Sequence, residues 1–87
     1  MSRTMNVIHT LNNGYKVVFL TNKTGTYRFY LDELTRVELQ STRLRVKTLD
    51  GYILYIENTT IDDFIKELQN NDVFFVVNKN KTKIIID

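Results

Sequence analysis

The chain has 87 residues, 43% of them hydrophobic, with three glycines, no proline and no cysteine. That length suits one small domain over residues 1–87, and the lack of cysteine excludes a disulfide frame and a thiolate metal site. A formal charge of +2 with a pI of about 9.0 is a mild basic bias, so what matters is where the cations cluster.

No apolar run is long enough to span a bilayer, and no apolar h-region opens the chain. The reading is a cytoplasmic protein with no membrane partner. Residues 1–4 are polar and loose. Asn6 to Leu11 and Tyr15 to Leu20 read as a hairpin around Asn12-Asn13-Gly14, with two-residue and three-residue loops both open. Thr21 to Gly25 is a second turn, and Thr26 to Leu31 is a strand rich in aromatics. Leu31 to Leu34 is a short break of about one helical turn.

Thr35 to Glu57 reads as a three-stranded meander. Val37 and Leu39 alternate with Arg36, Glu38 and Gln40, and Leu44 and Val46 alternate with Arg43, Arg45 and Lys47. A Ser41-Thr42 turn sets Leu39 against Leu44, Val37 against Val46 and Glu38 against Arg45. A Leu49-Asp50-Gly51 loop then sets Leu44 against Ile56 and Val46 against Leu54. A two-residue loop would put Lys47 opposite Leu54, so the apolar match selects three. Gly51 takes the left-handed position. Val37, Leu39, Leu44, Val46, Leu54 and Ile56 are predicted to point inward. Arg36, Glu38, Arg43, Arg45, Lys47, Ile53, Tyr55 and Glu57 are predicted to point outward.

Ile61, Phe64, Ile65 and Leu68 recur at helical spacing and predict a helix over Thr60 to about Asn70. Thr59 or Thr60 can cap it, Asp62 and Asp63 favour its N-terminal dipole, and Asn70-Asn71 stops it. Burying its four apolar side chains contributes roughly 6–12 kcal/mol before entropy is subtracted. Val73 to Val77 is apolar on both faces and predicts a fully buried strand. Asn78 to Lys81 is a basic polar loop, and Lys83 to Ile86 is a last strand. The fold class is α+β: mostly antiparallel β, about seven or eight short strands, with one helix near 60–70 packed on the sheet.

Little here supports catalysis. His9 is the single histidine, and the serines are Ser2 and Ser41, so no Ser/His/Asp set can form. The acid pairs Asp32-Glu33 and Asp62-Asp63 read as a solvated turn and a helix start. The glycines are too scattered for a phosphate loop. The expectation is a non-enzyme with no cofactor, no metal and no small-molecule substrate.

Binding is better supported. Arg43, Arg45 and Lys47 stand about 7 Å apart on one strand face. With Arg36 and Tyr55 they can track phosphates, and Tyr55 or Ile53 can stack on a base. The alternative is a solvated face with Glu38–Arg45 and Arg43–Glu57 pairs. Asn78, Lys79, Asn80, Lys81 and Lys83 form a second basic cluster, whose alternative role is to protect a sheet edge.

Several segments carry a family resemblance. Asp32-Glu33-Leu34-Thr35-Arg36-Val37-Glu38, Leu44 to Gly51 (LRVKTLDG), Ile61 to Leu68 (IDDFIKEL) and Phe74-Phe75-Val76-Val77 follow one another. In that order they resemble the LytTR-type DNA-binding domain of bacterial response regulators over residues 31–77. Where that family carries H-R-S-x-x-V-N, this chain has Asn78, Lys79 and Asn80, then Lys81-Thr82-Lys83. The resemblance implies a regulator binding double-stranded DNA through Ser41-Thr42-Arg43 and Asn78 to Lys81. The other expectation is a protein-interaction module that docks itself or another protein through exposed Tyr27, Phe29 or Tyr55 and a sheet edge.

Overall fold

A computed structural model describes residues 8–57 and 59–86. Asn6 and Val7, placed in the first predicted strand, lie outside the described residues. The chain runs β1 (Ile8–Thr10), β2 (Lys16–Asn22), β3 (Gly25–Tyr30), a 3-10 turn (Leu31–Glu33), β4 (Leu34–Gln40), β5 (Arg43–Thr48), β6 (Ile53–Ile56), α1 (Ile61–Asn70), β7 (Phe75–Val77) and β8 (Lys83–Ile86). The fold is α+β, with two antiparallel sheets ordered β1-β2-β3 and β6-β5-β4-β8-β7.

The meander has the register that its apolar parity demands. Val37 faces Val46, Glu38 faces Arg45 and Leu39 faces Leu44. Leu44 faces Ile56, Arg45 faces Tyr55 and Val46 faces Leu54. Gly51 sits at φ +87°, where a β-carbon would strain the backbone. Thr48, buried beside this loop, donates its hydroxyl to Asp50 Oδ1 (2.7 Å) and accepts the Tyr52 N–H (3.0 Å). Its buried oxygen is therefore satisfied.

One irregularity is invisible to strict alternation. The β4–β5 register shifts between Leu34 and Arg36, leaving Thr35 as the extra residue. Thr35 Oγ1 donates to the Lys47 carbonyl at 3.1 Å. The bulge lets both Leu34 and Val37 face the core while Arg36 faces out.

The inward side of the five-stranded sheet, α1 and the three-stranded sheet share one core, including Val18, Leu20, Val37, Leu44, Val46, Ile56, Phe64, Leu68 and Ile84. The small sheet joins at the β6 edge, where Asn22 Nδ2 donates to the Tyr55 carbonyl at 2.9 Å. The Ile8 N–H reaches Glu67 Oε1 of α1 at 3.4 Å.

Thr60 is the N-cap of α1, accepting the Asp63 N–H on Oγ1 at 3.1 Å. Thr60→Ala is expected to cost about 1 kcal/mol. In a domain of this size that lowers Tm by roughly 4–8 °C. A thermal melt superimposable on the parent would show that the cap contributes nothing.

Four expectations need correction. Val73 to Val77 is not a fully buried strand. The Val73 N–H is held by the Leu68 carbonyl at the helix end, after Asp72 turns left-handed at φ 56°, so β7 begins only at Phe75. β7 then lies at the sheet edge with one face open, leaving Phe74 83% and Val76 66% exposed. Leu39 is 39% exposed rather than buried, because it lies opposite the polar loop residue Thr82, beyond the end of β8. The second turn is tighter than Thr21–Gly25. β2 runs to Asn22, which pairs with Gly25, and Asn22 Oδ1 holds the Thr24 N–H at 2.8 Å. Tyr27 and Phe29 are half-buried against the core rather than exposed. The last strand is Lys83–Ile86, as its sequence predicts. The first hairpin, left open by sequence, closes with a three-residue loop, since Leu11 bonds Tyr15 on either side of Asn12-Asn13-Gly14.

Candidate nucleic-acid interface

The outer face of the five-stranded sheet is built by parity. Residues that alternate with the core positions must point away from it. On β5 these are Arg43, Arg45 and Lys47, and on β4 they are Arg36 and Glu38. The pairings Glu38↔Lys83 and Arg36↔Ile85 add Lys83 and Ile85 from β8. β6 contributes Ile53 and Tyr55, and β7 contributes Val76. The face therefore has a charged centre between two apolar margins.

At that centre one carboxylate serves three cations. Glu38 Oε1 accepts from Arg45 Nη1 at 3.0 Å, while Oε2 lies 3.5 Å from Arg36 Nη1 and 3.7 Å from Lys83 Nζ. The Glu38–Arg45 pair was expected. The other two were not, because they need the β4–β8 pairing or a reach along β4. Among the described residues of β4, β5 and β8, five cations thus stand on this face against one acid, while Glu57, just past the end of β6, is turned to Lys23. Lys47 has no carboxylate within ion-pair distance among the described residues, and the same holds for Lys79 and Lys81.

The expected Arg43–Glu57 pair does not form. Glu57 instead meets Lys23 at 3.9 Å. The Arg43 guanidinium carbon lies 4.0 Å from the centre of the Tyr55 ring. This cation–π contact covers the ring face that was expected to stack on a base, so a base stacked here would meet the guanidinium plane first.

The two basic turns come together. Because β4 and β8 are antiparallel, with Leu39 N–H donating to the Thr82 carbonyl at 2.7 Å, the Ser41-Thr42 turn and the Asn78–Thr82 loop close the same end of the sheet. Thr42 is exposed there beside Arg43, and Lys79 and Lys81 are exposed in the neighbouring loop. Lys83 links the loop cations to those on the face. Asn78 and Asn80 hold the loop together. Asn78 Oδ1 accepts the Thr82 and Lys83 N–H groups at 2.8 and 3.0 Å, and Asn80 Oδ1 accepts from the Thr82 hydroxyl at 3.2 Å. They shape the loop that presents the lysines.

Sequence reasoning missed Lys83 as a member of the face. The alternation of Lys83 and Ile85 with the buried Ile84 and Ile86 is the signal that could have found it. It also missed the apolar margin of Ile85 and Val76, hidden by reading β7 as buried.

Elsewhere the chemistry is sparse. Among the described residues no group of three His, Cys, Asp or Glu could hold a metal ion, and no helix is long and apolar enough to cross a membrane. His9 meets the Phe19 ring edge-on at 5.1 Å. The Glu33 carboxylate accepts the Tyr30 N–H at 3.1 Å, and Asp62 and Asp63 occupy the first turn of α1. Compared with protein-family models, curated proteins and solved structures, the chain matches none.

Proposed function

We propose that this chain is a non-enzymatic regulatory domain that binds double-stranded DNA through the outer face of its five-stranded sheet and the two basic turns at its end. The observation that carries this reading is the charge surplus. Among the described residues of β4, β5 and β8, Arg36, Arg43, Arg45, Lys47 and Lys83 share a face with Glu38 as the one acid, and Lys79 and Lys81 extend the same field. Surplus cations on a rigid sheet attract phosphates and release their counterions. The resemblance to LytTR-type domains over residues 31–77 points to the same ligand and to the same two turns.

The test is a titration of labelled duplex DNA of mixed sequence, read by anisotropy over a range of salt. If about four phosphates are met, affinity is expected to fall roughly tenfold for each doubling of salt. No binding at low salt, or binding insensitive to salt, would overturn the reading. Tighter binding to single strands than to duplex would redirect it to a stacking mode using Tyr55 and Arg43. A second reading, a protein-interaction module, is favoured at one place: the exposed Phe74 and Val76 beside an unpaired strand edge.

A further inference from the structure

We infer that β7 is a self-association edge, at which a second copy of this chain adds its own β7 antiparallel to join two five-stranded sheets into one of ten. This inference is independent of DNA binding and rests on three observations.

The first is an open edge. Asn78 N–H donates to the Lys83 carbonyl at 3.1 Å, and the register continues as Val77↔Ile84, Val76↔Ile85 and Phe75↔Ile86. Antiparallel pairs alternate between hydrogen-bonded and non-hydrogen-bonded, so Val76 bonds to β8 while the N–H and C=O of Phe75 and Val77 point away. Among the described residues no hydrogen bond meets them there. Phe74 to Val77 carries no charge or proline and the β7–β8 register has no bulge, so of the usual devices that blunt an edge the strand itself has only its three-residue length.

The second is self-complementary geometry. A two-fold axis beside Val76 pairs Phe75 with Val77 of the other copy, and Val77 with Phe75. Those are the residues whose backbone groups are available, so the pairing forms bonds on both sides of the axis without a register slip. The exposed apolar side chains then meet their symmetry mates. Val76 (66% exposed) lies against Val76 of the second copy, with Ile85 (39%) on either flank and Phe74 (83%) above the row. On the opposite face Phe75 and Val77 floor a groove against Ile65, Lys66 and Gln69 of α1, and the incoming Phe75 and Val77 extend that floor.

The third is charge complementarity, which selects a second copy over an unrelated strand. Antiparallel addition carries the Asn78–Thr82 loop of one copy toward residues 71–72 of the other. Lys81, which lines the groove, thus approaches exposed Asp72 at the C-terminal end of α1, whose last turn holds no basic residue. The helix dipole is negative there and favours that cation.

The experiment is sedimentation equilibrium of the whole chain from micromolar to millimolar concentration, paired with amide exchange. The expected result is a concentration-dependent shift from a 10.3 kDa monomer toward a dimer. As the dimer fills, the Phe75 and Val77 amides should gain protection while the Val76 amide, already bonded to β8, changes little. Val76→Lys should keep the fold, since the side chain is exposed, and should abolish both the mass shift and the Phe75/Val77 protection. A monomer at every concentration would overturn the inference. So would a dimer that survives Val76→Lys, or protection gained at Val76 rather than at its neighbours.

Discussion

Phe64→Ala is expected to lose about 3–5 kcal/mol of stability, whereas Phe74→Ala is expected to stay within about 0.5 kcal/mol of the parent. The two side chains are chemically identical and differ only in where they sit. Phe64 is fully buried where α1 meets the sheets, among core residues that include Leu34, Val37 and Leu54. Truncating it removes the ring's transfer free energy and leaves a cavity that rigid strands cannot close. A domain of this size has a total stability near the low end of about 5–15 kcal/mol, so most of the margin disappears. Tm should fall by roughly 12–40 °C, with a matching drop in the urea midpoint. Phe74, 83% exposed, leaves no cavity when truncated. Urea denaturation followed by circular dichroism separates the two. Equal losses would mean that Phe74 is as buried as Phe64 and that β7 is not an open edge.

That contrast also marks where the fold was legible in sequence. The meander could be read because β4 and β5 alternate, so one slipped residue would bury a row of arginines, and the three-residue loop at Gly51 was the solution that kept both turns in phase. The helix could be read because Ile61, Phe64, Ile65 and Leu68 leave a single apolar stripe beside Thr60. β7 could not. Val-Phe-Phe-Val-Val carries no parity, and an apolar run looks the same whether a strand is central or lies at an edge. What decides it is the helix end capturing Val73 and, among the described residues, the absence of a strand beyond β7. Leu39 failed for a related reason: its parity is right, but a loop rather than a strand flanks it. The binding face divides in the same way. Arg36, Arg43, Arg45, Lys47 and Tyr55 followed from alternation within the meander. The joining of Lys83 and the last loop to that face depends on the pairing of Glu38 with Lys83, distant in sequence, which alternation within either strand cannot supply.

Lys47→Glu combined with Lys79→Glu is expected to weaken duplex binding by roughly 100-fold or more at about 50 mM salt, with the fold intact. Neither lysine has a carboxylate partner among the described residues, so their reversal breaks no ion pair, and surface changes of this kind alter stability by about 0.5 kcal/mol at most. Each phosphate contact at that salt is worth roughly a factor of 15, so losing two gives about 200-fold before repulsion is added. Glu38→Gln should move affinity the other way. It removes the one carboxylate that Arg36, Arg45 and Lys83 share, and releases those cations toward phosphate. The expected gain is about threefold to tenfold in affinity with a steeper salt dependence, at a stability cost of about 1 kcal/mol from the lost charge-assisted bonds. The opposite signs are what make the pair informative. If the face only kept the sheet solvated and folded, Glu38→Gln would destabilise the chain and could not improve DNA binding. Anisotropy titrations of both variants, each beside its own urea curve, read the two effects separately. A Glu38→Gln variant that binds more weakly while still folded would remove the sheet face from the interface and leave only the turns.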